Sequence, residues 1–158
     1  MPQTTTTLGL SSVLIFGVTL VVIASLTPEF HFLEDYVSEL GAQGQPYAIW
    51  WNLIGFLLVG MLLAGFGYSY GGVVNDRLIG VCLALFGIGF AFTALPIDLG
   101  DSASTLSKAH VIAICLGLAG WMFGLARMAQ NRQLEKFVRY SANIAAVLLF
   151  LGGCCLCL

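Results

Sequence analysis

Long apolar runs separated by short polar segments make up most of the chain. Residues 1–28 hold no charged side chain, and Leu8–Leu26 within them is strongly apolar. Residues 40–75 are also free of charge, with the apolar centre at Tyr47–Tyr68. Three more runs follow: Leu78–Ile97 between Arg77 and Asp98, Ala109–Ala126 closed by Arg127, and Tyr140–Leu158. A helix needs about 20 apolar residues to cross a bilayer. The alternation of a membrane β-strand is absent from these runs. Backbone amides find no water in lipid, so each run must close its hydrogen bonds within itself, as an α-helix does. The pattern predicts an all-α, polytopic transmembrane bundle in one domain, residues 1–158. About five spans are expected, near 8–27, 47–69, 78–97, 109–127 and 140–158. Residues 1–7 lack Lys and Arg, and Ala24-Ser25-Leu26 is a poor cleavage site, so the first run is expected to stay as an uncleaved span rather than a signal peptide.

Composition sharpens this picture. Of 158 residues, 59% are hydrophobic and 9% charged. A soluble domain carries about 25% charged residues, so lipid must solvate most of this surface. The net charge of −2 comes without clustered Lys or Arg, which excludes a nucleic-acid partner. Cys82, Cys115, Cys154, Cys155 and Cys157 all lie in apolar runs and read as small hydrophobes, not as a disulfide framework. The final CCLCL fits a prenylation pattern in form only, because its cysteines belong to the fifth run.

Charge also sorts the loops. Arg77 lies in the second loop, and Arg127, Arg132, Lys136 and Arg139 in the fourth. The first loop holds Glu29, Glu34, Asp35 and Glu39, and the third holds Asp98, Asp101 and Lys108. The positive-inside rule then puts the N-terminus in the cytoplasm and loops 27–46 and 98–108 outside.

The outer loops carry the candidate chemistry. Thr27, Pro28 and Gly41 suit the ends of a short helix, with Phe30, Leu33, Val37 and Leu40 as an apolar stripe on the membrane surface. His31, Asp35 and Ser38 would line the same helix at i, i+4 and i+7. The third loop adds Asp98, Asp101 and His110. His31, Asp35, Asp98 and His110 are therefore the candidate catalytic residues, and also the candidate metal ligands. Two imidazoles and two carboxylates could hold zinc with a position open to water. The H-E-x-x-H spacing is absent. The milder reading is a metal-free polar network, with Ser38, Asn52 and Asp101, that pins the two loops together. Asn52 sits inside an apolar run and needs a partner on another segment. Gly120 with Gly124, and Gly80 with Gly87 and Gly89, mark faces for close helix contact.

The stretch YVSELGAQGQPYAIWWNLIGFLLVG resembles the first outer loop and second span of a prokaryotic multi-pass family, domain of unknown function 998. Tyr36, Ser38, Leu40, Gly41, Pro46 and Asn52 carry the likeness, and Pro96, Asp98 and His110 continue it around the third loop. The resemblance implies a helical fold in a prokaryotic inner membrane, positions for a site, and no known reaction. It also implies six spans, one more than the runs counted here, so the sixth is missing, replaced by a partner or not needed.

These readings converge on a small integral membrane protein that acts as an accessory, interaction or lipid-binding module. Its expected partners are membrane lipids and another membrane subunit or a second copy. No cofactor is expected unless the four candidates hold zinc. The alternatives are a membrane-embedded, metal-dependent hydrolase using the outer-face His and Asp residues, and a transporter component. The transporter reading lacks mid-membrane charges and an inverted repeat.

Overall fold

The structure, a computed structural model, describes the backbone of residues 3–155 and the side chains of residues 3–150. The side chains of Cys154, Cys155 and Cys157 lie outside the described residues. Five helices follow in order among them: α1 (Gln3–Leu26), α2 (Ala48–Val73), α3 (Arg77–Phe92), α4 (Thr105–Gln130) and α5 (Lys136–Cys155). No strand occurs among the described residues. α1, α2 and α4 are long and apolar enough to cross a membrane, and α3 is a shorter apolar helix of 16 residues. The chain is a helical membrane bundle.

Local chemistry sets the helix ends. Asp76 caps α3 by accepting from the amides of Leu78 and Ile79, and Ser104 caps α4 by accepting from Ser107. The hydroxyls of Thr7, Ser12 and Ser25 bond carbonyls of their own helix, which makes polar side chains tolerable in α1.

Small residues join the helices. α2 and α3 run antiparallel, and along the seam Gly60 meets Ala91, Gly87 meets Ala64, Gly67 meets Ala84, and Gly71 meets Gly80. α4 continues the bundle with Gly117 against Gly89, and with Gly120 and Gly124 against the Cys82–Phe86 turn of α3. α1 packs on α2, and α5 packs on α4.

Two apolar clusters lie at opposite ends. One joins Ile23, Leu40, Trp51 and Phe56 to Phe16 and Phe90, and the other joins Tyr70, Ile79 and Leu83 to Phe66 and Trp121. Outside them the usual pattern inverts. Val13, Leu14 and Val18 on α1, Leu116 and Phe123 on α4, and Val147 and Leu148 on α5 face outward, whereas Thr5, Ser12, Thr93 and Ser107 are buried. Lipid is the solvent that suits such a surface.

The first loop departs from expectation. Residues 28–41 form turns and then a 3-10 helix at Val37–Gly41, not one amphipathic helix. Thr27 does not cap a new helix; its hydroxyl bonds the Ile23 carbonyl at the end of α1. Leu33 is 99% exposed and Leu40 only 1%, so the expected stripe does not form one face.

Candidate functional site

A largely apolar cavity of about 440 Å³ opens among α1, α2, α3 and α4. Its aromatic walls come from Phe16, Phe56, Phe86, Phe90 and Trp121, and Tyr36, Ser38, Thr93 and His110 bring polar groups to its lining. Phe86 stacks on Trp121 at a centroid distance of 4.7 Å, and Phe90 meets Phe16 and Phe56 edge-on. These contacts pack the wall rings against one another.

An unusual turn in α2 places one wall. Trp51–Leu58 winds as a π-helix, which admits an extra residue per turn and is often found at functional sites. It buries Trp51, Gly55 and Phe56 together. A Cβ on Gly55 would lie 2.8 Å from the Trp51 ring, so glycine is what lets the indole fold against the helix. Trp51 is thus core, while Trp50 is exposed as an interfacial tryptophan would be. Phe56 then projects edge-on towards the His110 ring, at 6.2 Å between centroids.

His110 is 3% exposed. Its Nδ1 lies 2.9 Å from the Leu95 carbonyl oxygen. A carbonyl only accepts, so Nδ1 donates to it, which in a neutral imidazole puts the lone pair on Nε2. Nε2 is buried and has no hydrogen-bond partner among the described residues. A buried polar atom left bare costs about 1–3 kcal/mol.

The four sequence candidates do not gather around a common point. His31 and Asp35 are neighbours: the His31 amide donates to Asp35 Oδ2 at 2.6 Å, and its Nδ1 is 3.7 Å from the same oxygen. Asp98 is engaged elsewhere, with Oδ1 accepting from the amides of Gly100 and Asp101. Asp101 in turn accepts from Ala103. Among the described residues no group of three or more His, Cys, Asp or Glu side chains is placed to hold a metal ion. Asp35 and Asp98 instead each accept from amides of their own loop.

The first and third loops do touch, through other atoms. The Gln43 amide donates to the Ile97 carbonyl at 2.8 Å, and His110 holds the Leu95 carbonyl of the same loop. Asn52 donates Nδ2 to the Gly41 carbonyl at 2.9 Å, and a Cβ on Gly41 would run into its Oδ1. Ser38 is half-buried in the cavity wall, away from the His31–Asp35 pair.

The opposite end of the bundle holds a polar contact that the chain's patterning does not announce. There Asp76 Oδ2 accepts from Arg127 Nε and Asn131 Nδ2, both at 3.0 Å. The Asp before an apolar run hints at the cap. Nothing in a single sequence joins Asp76 to residues more than fifty positions away.

The model of a protein family described as "Protein of unknown function (DUF998)" matches residues 10–158. No curated protein and no solved structure matches the chain.

Proposed function

Because the chain belongs to the DUF998 family, whose description assigns no activity, we propose from the site that it is a membrane-embedded binding protein for a neutral amphiphile drawn from the bilayer. One observation carries this reading: the unpaired Nε2 of His110, in a ring that lines the apolar cavity. The volume of about 440 Å³ falls within the roughly 300–1,000 Å³ of small-molecule sites. The aromatic walls suit an unsaturated or ring-bearing chain. Nε2 asks for a donor, so the head should carry an O–H or N–H group. No Lys or Arg lines the cavity, and a lone pair repels anionic oxygens, so a phosphate or carboxylate head fits poorly.

The helices cross the bilayer in turn, with the N-terminus in the cytoplasm and the cavity in the outer half. Five of the six basic residues at the α2–α3 and α4–α5 connections support that sidedness. α3 packs along α2 from Gly60–Ala91 to Gly71–Gly80, which supports its crossing the same slab despite its length.

The test is photolabelling of the protein in nanodiscs with a photoreactive long-chain alcohol. Crosslinks are expected on α3 and α4 beside the cavity. Leu118→Trp fills the cavity from a lipid-facing position and should abolish them. His110→Phe should weaken binding about tenfold, near 1.4 kcal/mol, and the methyl ether of the alcohol should show a like loss on the unaltered protein. Labelling that ignores Leu118→Trp would sink the proposal.

A further inference from the structure

The end of the bundle away from this cavity holds a second, polar concavity of about 470 Å³, between the α2–α3 turn and the end of α4. Arg77, Arg127, Arg132, Asn75 and Asn131 line it, with Asp76 as the lining acid. Asp76 is already occupied. Its Oδ1 accepts from the Leu78 and Ile79 amides, and its Oδ2 from Arg127 and Asn131. It therefore acts within the chain as a buried strut that orients one guanidinium and one amide. Only Nε of Arg127 is engaged by Asp76, and the side chain is 49% exposed, which leaves the outer nitrogens of the fork for another acceptor. Arg77 and Arg132 are exposed on the same concavity.

Three guanidiniums face one neutralised carboxylate, with amide donors beside them. Arg forks match phosphate oxygens in pairs, where Lys acts only as a point charge. The concavity's volume of about 470 Å³ suits one head group. We propose that it binds a phosphate-bearing anion, supplied either as a lipid head group or as a free phosphate ester, with Asp76 as the positioning residue. This site stands apart from the His110 cavity and does not depend on it.

Native mass spectrometry of the full chain in zwitterionic detergent tests the idea. The probes are phosphatidylglycerol, phosphatidylcholine and soluble glycerol phosphate. Phosphatidylglycerol should be retained at least tenfold over phosphatidylcholine, and Arg77→Gln with Arg132→Gln should remove that preference. The control Lys136→Gln with Arg139→Gln removes the same charge outside the concavity and should keep it. Both pairs should melt like the parent, since Arg77, Arg132 and Lys136 are exposed and Arg139 holds only the Ala129 carbonyl. Displacement of the lipid by millimolar glycerol phosphate would identify the free ester as ligand, and its failure would identify the lipid head group. Equal losses in both pairs would mean diffuse surface potential and overturn the proposal, as would absence of any anion preference.

Discussion

Both oxygens of Asp76 are tied to the chain, and this fixes how the residue responds to acid. Burial pushes its carboxyl up, but the Ile79 amide, the bond and charge of Arg127, and the Leu78 amide together hold it below the ordinary carboxylate range. A carboxyl lowered by folding stabilises the protein above the unfolded value of about 3.9, and that contribution is lost as pH falls through the folded value. Asp76→Ala should lower the melting temperature in detergent at neutral pH, since loss of the cap alone costs about 1–2 kcal/mol. It should also flatten the fall in melting temperature of the parent below about pH 4. An unchanged melt and an unchanged acid limb would deny Asp76 this role. At this scale the sequence was partly legible. His110 stood out as an imidazole beside an apolar run, but its partner is the backbone carbonyl of Leu95, which no side-chain pattern can flag. Asp98 stood out equally, yet its carboxylate turns its own loop.

Among elements, the spacing of small residues carries the packing. On α2, Gly60, Ala64, Gly67 and Gly71 recur at steps of four, three and four, and Gly80, Ala84, Gly87 and Ala91 repeat the same steps on α3. That interval keeps one narrow face in register with an antiparallel neighbour, so backbones approach without side chains between them. A Cβ on Gly87 would strike the Ala64 backbone, which is not free to give way. Gly87→Leu should therefore lower the melting temperature sharply and broaden the size-exclusion peak in detergent. Gly72→Leu, on α2 with open space around it, should do neither. Equal behaviour of the two variants would mean that the glycine seam is not what joins α2 to α3. This seam was legible in part, as small-residue faces on α3 and α4. The first loop was misread because its short-range pattern competes with longer-range burial. Asp35 turns back on the His31 amide, a local bond that rivals helix formation, and the Trp51 core cluster draws in Phe30, Val37 and Leu40 separately. The π-turn at Trp51–Leu58 was not legible at all, since its residues also suit an ordinary α-helix.

At the scale of the whole molecule, the number of crossings decides which face each loop occupies. Residues 34 and 133 are separated by α2, α3 and α4. If all three cross, Glu34 and Gln133 lie on opposite sides of the membrane. If α3, at roughly 24 Å for its 16 residues, only dips into the bilayer, two crossings return the chain to the same side. Gly100, between α3 and α4, separates these cases further, because it joins Glu34 only when α3 crosses. Single cysteines at 34, 100 and 133, in a chain whose native cysteines are replaced, can be labelled with an impermeant maleimide on intact cells and after permeabilisation. Labelling of 34 and 100 on intact cells, with 133 reached only after permeabilisation, is the expected result. Residues 34 and 133 labelling together would remove the crossing of α3 and with it the sidedness. Arg77 before α3 and Arg132 after α4 would then lie on opposite faces, which the contact of Asp76 with Arg127 and Asn131 forbids, so the basic concavity would be lost with the crossing. The mirror result, 133 labelled on intact cells and 34 and 100 only after permeabilisation, would reverse the faces alone: the His110 cavity would keep its neighbours, because the α3–α4 contacts that shape it do not depend on which face is cytoplasmic.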